Sequence, residues 1–257
     1  MITMARFYKT QRKQGKKMKK TVIAAVLATG LTAMGCHAAE WGYEGKHGPE
    51  HWGEIAKECA MGKNQSPIDI RQPTQADLKG LDLHYSGQVI ALSNNGHTLQ
   101  GSLSGENVLD IDGKSFELKQ FHFHTPSENL IQGKQYPLEA HFVHADKAGN
   151  LAVVAVMFES GSQNQALNSL IAKVPKAGEE VKLAQAFDVN DLIPAHAEYY
   201  RFNGSLTTPP CSEGVRWLVI KEASELSPTQ THVLMQAMGE NNRPVQPLNA
   251  RVVLSKE

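Results

Sequence analysis

The chain has 257 residues, 41% of them apolar and 20% charged, enough to bury one large core or two small ones. Its 26 basic and 26 acidic residues cancel, but residues 1–39 carry eight Lys or Arg and no Asp or Glu, which leaves 18 basic against 26 acidic residues in the remainder. An acidic body excludes nucleic-acid binding as the main task, because that task needs a basic face to neutralise phosphates.

The basic leader runs into an apolar stretch at residues 21–34, too short to span a bilayer. A positive start, a short apolar segment and then small residues describe a secretory signal peptide. Residues 1–39 are therefore expected to be signal and leader, with 40–257 the functional domain and no transmembrane anchor once the signal is removed. Met18 is an alternative start, and cleavage is expected after Ala38 or Ala39. Cys36 sits in a weak lipoprotein box, Ala33-Met-Gly-Cys36. If Cys36 leaves with the signal, Cys59 and Cys211 remain, an even count suited to an oxidising periplasmic or extracellular compartment. Two readings stay open for them, a disulfide across a very long loop or a pair of buried thiols. Neither has metal-type spacing to another cysteine.

After residue 40 there is no internal repeat and no low-complexity linker. Short β-branched and aromatic runs punctuated by Gly, Pro, Asn and Asp predict strands at 88–93, 97–103, 108–111, 115–124, 138–144, 151–159, 199–203 and 215–221. Apolar residues at helical spacing predict helices at Gln165–Ile171 and 229–238, the second opened by Ser227-Pro-Thr-Gln. The pattern is that of a strand-rich single domain.

Two of these strands carry the chemistry. In Gln120-Phe-His-Phe-His124 the side chains alternate, so Gln120, His122 and His124 share one face while Phe121 and Phe123 take the other. In the second run Glu139, His141 and Val143 share a face. Two ligands from one strand and a third from a neighbour make a tripod with a fourth tetrahedral position open, the mark of a catalytic rather than a structural zinc site. Gln120 and Glu139 each lie two residues from a histidine, where a polar group can accept the ring N–H and fix the tautomer.

These runs belong to a longer series: Gly48-Pro-Glu-His-Trp52, Asn64-Gln-Ser-Pro-Ile-Asp69, Asn94-Asn-Gly-His97, Glu139-Ala-His141, Gly204-Ser-Leu-Thr-Thr-Pro-Pro210 and Arg243-Pro-Val-Gln-Pro247. Together, and in this order, they resemble the alpha-class carbonic anhydrases in a secreted bacterial form. The resemblance implies a mainly β (α+β) fold, a large twisted and mostly antiparallel central sheet with short peripheral helices. It implies Zn2+ on His122, His124 and His141, with zinc-hydroxide attack on carbon dioxide giving bicarbonate and a proton. Thr207 would orient the attacking species, with Glu128 accepting the Thr207 hydroxyl proton. His97 would export the proton, helped by Tyr43, Asn95 and Gln100. Val143, Val153, Leu206, Thr208 and Trp217 would line the substrate pocket, and Asn241 would support His124 through its backbone carbonyl. Cis peptides are implied at Ser66-Pro67 and Pro209-Pro210. Two departures stand out: only three residues separate His124 from Glu128, and Asn129 stands where animal members commonly carry histidine.

A small-molecule enzyme is the leading reading, as monomer or homodimer. A relative that has lost catalysis and only binds would lack part of the histidine set, which is complete here. A metal-buffering protein would cluster its histidines, and the eleven present are scattered.

Overall fold

Alternation and β-branching are densest between residues 114 and 160, and this stretch forms the middle of the sheet. In the computed structural model, which describes residues 41–195 and 198–256, strands Lys114–His124, Leu138–Ala145 and Leu151–Ser160 pair antiparallel in turn. The expected signal segment, its cleavage site and Cys36 lie outside the described residues. The sheet continues on one side through Leu99–Ser104, Gln88–Asn94 and Glu180–Asp188, and on the other through Glu213–Ile220 and Tyr199–Ser205. Pairing is mostly antiparallel. At the centre, however, Leu151–Ser160 and Glu213–Ile220 run parallel, which requires a long crossover connection. The crossover carries helix Gln165–Ile171 and the Glu180–Asp188 and Tyr199–Ser205 strands.

Leu151–Ser160 is buried on both faces along most of its length, which explains its nearly unbroken apolar sequence. Phe121, Phe123, Phe142, Val154 and Val156 pack on one face with Leu167, Leu170 and Leu234 of the helices. Val153, Ala155, Met157, Trp217 and Val219 pack on the other with Ile68 and Ile70. Gly101 lies opposite Phe121, and a Cβ there would sit 2.0 Å from the phenyl ring.

Strand Lys114–His124 is not regular. Leu118 pairs with His144 and Gln120 with Val143, leaving Lys119 without an opposite residue, a bulge. Phe116 and Leu118 before it therefore face the same core as Phe121 and Phe123 after it.

The helices begin where the sequence places them. Asn164 caps Gln165–Ile171 by accepting from the Leu167 N–H, and Ser227 with Gln230 forms a capping box on Pro228–Met238. Cys59 and Cys211 form a disulfide. Ser66-Pro67 and Pro209-Pro210 are cis, as is Thr125-Pro126, which was not expected. Among the described residues no helix is long and apolar enough to cross a membrane.

Candidate metal centre

Strand register assembles the histidines. His122 and His141 are direct cross-strand partners, and His124 lies opposite Glu139. With a side-chain period of two, all four point away from the phenylalanine layer. The three rings offer ligand atoms that all lie within 4.8 Å of one another.

Each ring is held from outside by an acceptor. His122 Nδ1 is 2.8 Å from Gln120 Oε1, and His124 Nδ1 is 2.7 Å from the Asn241 carbonyl oxygen. His141 Nε2 lies 2.9 Å from Glu139 Oε1, off the axis of a well-aligned hydrogen bond. Acceptors on the outside put the hydrogens on those nitrogens, so lone pairs face inward on His122 Nε2, His124 Nε2 and His141 Nδ1; these tautomers follow from the partners' chemistry. Burial drives His122 and His141 well below the usual histidine range, with the neighbouring rings adding to it, and lowers His124 as well. Three neutral imidazoles therefore converge. His124 Nε2 is buried with no hydrogen-bond partner, a costly state for a polar atom unless a cation meets it. Three borderline-soft nitrogens supported from behind suit zinc. A second group, Asp82, His84 and Asp110, differs: it is largely exposed, and His84 already pairs with Asp82 at 2.9 Å.

Glu128 borders the tripod. Its Oε1 accepts from the Arg243 N–H at 2.8 Å. Its Oε2 lies 3.5 Å from His124 Nε2 and 3.9 Å from His141 Nδ1 and is otherwise unpartnered. Burial pushes this carboxyl well above the usual carboxylate range, while the Arg243 N–H and the Thr207 hydroxyl pull it down. Thr207 is itself buried and follows strand Tyr199–Ser205. The turn beyond it closes through Cys211 N–H donating to the Thr208 carbonyl at 2.9 Å, and the disulfide pins it.

An apolar row crosses the same face: Val143 opposite Val153, and Val153 opposite Trp217. The Trp217 ring meets His141 edge-on at 4.9 Å, and its indole N–H donates to the Ser205 carbonyl at 3.0 Å. Val153 and Trp217 are buried, whereas Leu206 and Val143 are half-buried. A Cβ on Gly204 would lie 2.1 Å from Ser66 Oγ and 2.8 Å from the Trp217 ring, so no larger residue fits there.

His97 is not in a strand, as the 97–103 expectation had it. The strand begins at Leu99, because Asn95 Oδ1 accepts the N–H groups of His97 and Thr98, both at 2.9 Å, and holds a turn. The half-buried His97 ring stacks on Trp41, centroids 3.9 Å apart. Tyr43 packs against Trp41 and Trp52, and burial with the nearby Glu128 charge raises its hydroxyl pKa. Gln100 lies opposite His122. Asn241 links both regions, since its carbonyl accepts from His124 and its side-chain amide donates to the His97 carbonyl at 3.0 Å.

Two contributors were not singled out as site residues. Arg243 acts on Glu128 through its backbone, while its buried guanidinium holds Gln65, Ser66 and Cys59. Asn129 was noted only as a departure, and it contacts Glu139.

The chain matches the family model described as eukaryotic-type carbonic anhydrase over residues 47–257. It is 48% identical to a carbonic anhydrase of Klebsiella pneumoniae over 90% of this chain and 97% of that one. It is 44% identical to a carbonic anhydrase of Neisseria gonorrhoeae over 93% and 96%. Among solved structures, the Photobacterium profundum alpha-carbonic anhydrase matches with TM-score 0.83 and 61% identity, over 84% of this chain and all of that one.

Proposed function

The chain belongs to the eukaryotic-type carbonic anhydrase family, and from that premise we propose that it holds one zinc ion on His122, His124 and His141 and interconverts carbon dioxide and bicarbonate there. One observation carries the reading: three histidine rings bring ligand atoms within 4.8 Å of one another, and the buried His124 Nε2 has no hydrogen-bond partner. Zinc held there supplies a Lewis acid that brings a bound water to a pKa of about 7, the general reference value for this enzyme class.

The chain's own residues do the rest. A hydroxyl has one hydrogen, so once Thr207 commits it to Glu128 the hydroxyl can only accept toward the tripod. The Arg243 N–H fixes Glu128 Oε1 and so steadies the carboxylate toward which that hydroxyl would turn. Thr207 would then accept from a donor held at the open side of the tripod and turn that donor's lone pair toward the apolar row. Val143, Val153, Leu206 and Trp217 give a small uncharged substrate a water-poor wall, and Thr208 offers a hydroxyl to charged product. His97 accepts the released proton and passes it to buffer, since imidazole titrates near neutral pH. Tyr43, Asn95 and Gln100 line the route. The basic and apolar leader together with the disulfide supports a periplasmic or secreted enzyme.

The test is metal analysis joined to stopped-flow hydration with a pH indicator. Purified protein is expected to contain about one zinc per chain, and His122→Ala to lose both zinc and hydration. Full hydration activity in metal-free protein would sink the proposal.

A further inference from the structure

Asn129 is fully buried, and each of its polar atoms has a hydrogen-bond partner. Its backbone N–H donates to Glu139 Oε2 at 2.9 Å and its side-chain Nδ2 donates to Glu139 Oε1 at 2.8 Å. Its Oδ1 accepts the Ile68 N–H at 3.0 Å, and its carbonyl accepts from Ser127 Oγ at 2.9 Å. The amide orientation is unambiguous, because only Oδ1 can accept from a backbone N–H and only Nδ2 can donate to a carboxylate. With the Glu128 N–H at 2.7 Å from Oε2, Glu139 is gripped by three donors on two oxygens. The oxygen that Asn129 Nδ2 holds is the one 2.9 Å from His141 Nε2.

We propose that Asn129 is a positioning residue for the metal centre: through Glu139, its side-chain amide fixes the direction of the His141 ring and so slows metal loss. The inference rests on the zinc reading above. Without Nδ2, two backbone donors still anchor Oε2, but Oε1 is free to swing about that anchor. His141 then loses a fixed acceptor behind it, although no metal ligand has been changed. Asp at this position is the sharpest test, since it keeps an oxygen for the Ile68 N–H while replacing the donor by an acceptor facing a carboxylate.

The experiment uses zinc-loaded protein and follows zinc release to an excess of chelator with an indicator dye. Unfolding midpoints and the visible spectrum of the cobalt-substituted protein are recorded alongside. Asn129→Asp and Asn129→Leu are expected to release zinc up to roughly 10-fold faster than wild type, the lower bound of the affinity loss for removing a ligand's direct partner such as Glu139, and to alter the cobalt bands. In a Glu139→Gln background, Asn129→Leu should add little, because the route through Glu139 is already cut. A merely structural residue would shift the midpoint without that coupling. If Asn129→Leu does not fold, Asn129→Ala removes the same donor with less bulk and is read the same way. Wild-type release rates in the Asn129 variants, or effects fully additive with Glu139→Gln, overturn the proposal. Wild-type protein that holds no zinc overturns the tripod reading instead.

Discussion

Removing the disulfide gives a prediction whose size follows from connectivity. Cys59 and Cys211 are separated by 152 positions, and a cross-link over a loop of that length removes denatured-state entropy worth about 5 kcal/mol at 25 °C. That is an upper figure, since compact denatured chains have less entropy to lose. For a domain of this size each kcal/mol moves the thermal midpoint by roughly 2–4 °C, so Cys59→Ala/Cys211→Ala should unfold about 10–20 °C below wild type at most. The bridge is also local to the site, because Cys211 closes the turn that follows Thr207 and the Cys59 carbonyl accepts from Arg243. The assay is thermal unfolding followed by near-ultraviolet circular dichroism on oxidised, reduced and double-Ala protein. Reduced wild type and the double variant should fall together, which separates the cross-link from the sulfur atoms' packing. An unchanged midpoint in both would refute the reasoning.

Two further outcomes can be checked. His97→Ala is expected to slow turnover on the order of a hundredfold in weak buffer, the low end for positioned proton transfer, with recovery on adding imidazole; turnover indifferent to buffer in both proteins would remove the shuttle role. His144 is buried away from the tripod, its Nδ1 donating to the Ala152 carbonyl at 3.2 Å and its Nε2 accepting from Tyr85, and burial lowers its pKa to about 4. The unfolded chain, with an ordinary histidine near 6.5, then binds more protons between those values. Its contribution to stability is complete above about pH 6.5 and is lost as pH falls toward 4, about 3 kcal/mol in all. Urea unfolding at pH 7.5, 6 and 5 should show a steeper decline in wild type than in His144→Gln, and parallel declines would count against it.

Much of the site could be read from the sequence because a strand's period is two. The spacing of His122, His124 and Gln120 puts them on one face whatever the rest of the chain does, and Glu139 and His141 follow the same rule. Helix Gln165–Ile171 was also legible from its apolar spacing, and the structure adds an Asn164 cap. Strand Glu180–Asp188 was not: its Lys, Gln and Ala carry little strand preference, and pairing with Gln88–Asn94 makes it a strand. The turns Trp52–Ile55 and Glu58–Met61 are too short to show periodicity. Parallel pairing at the sheet centre depends on where a crossover lands, which no local pattern encodes. Asn129 and Arg243 escaped for a related reason, because their partners lie across the fold or are reached through the main chain.

The bulge at Lys119 has a consequence for how this chain can change. It is the odd residue that turns the strand over, so the aromatic side before it and the imidazole side after it end up on opposite walls. Losing that single position would rotate both imidazoles into hydrocarbon and bring phenyl rings out onto the face of the proposed metal centre, with every proposed ligand still spelled correctly. The proposed centre is thus guarded by arithmetic, and a comparison of sequences that tolerates a gap at this spot would overlook an edit that dismantles it.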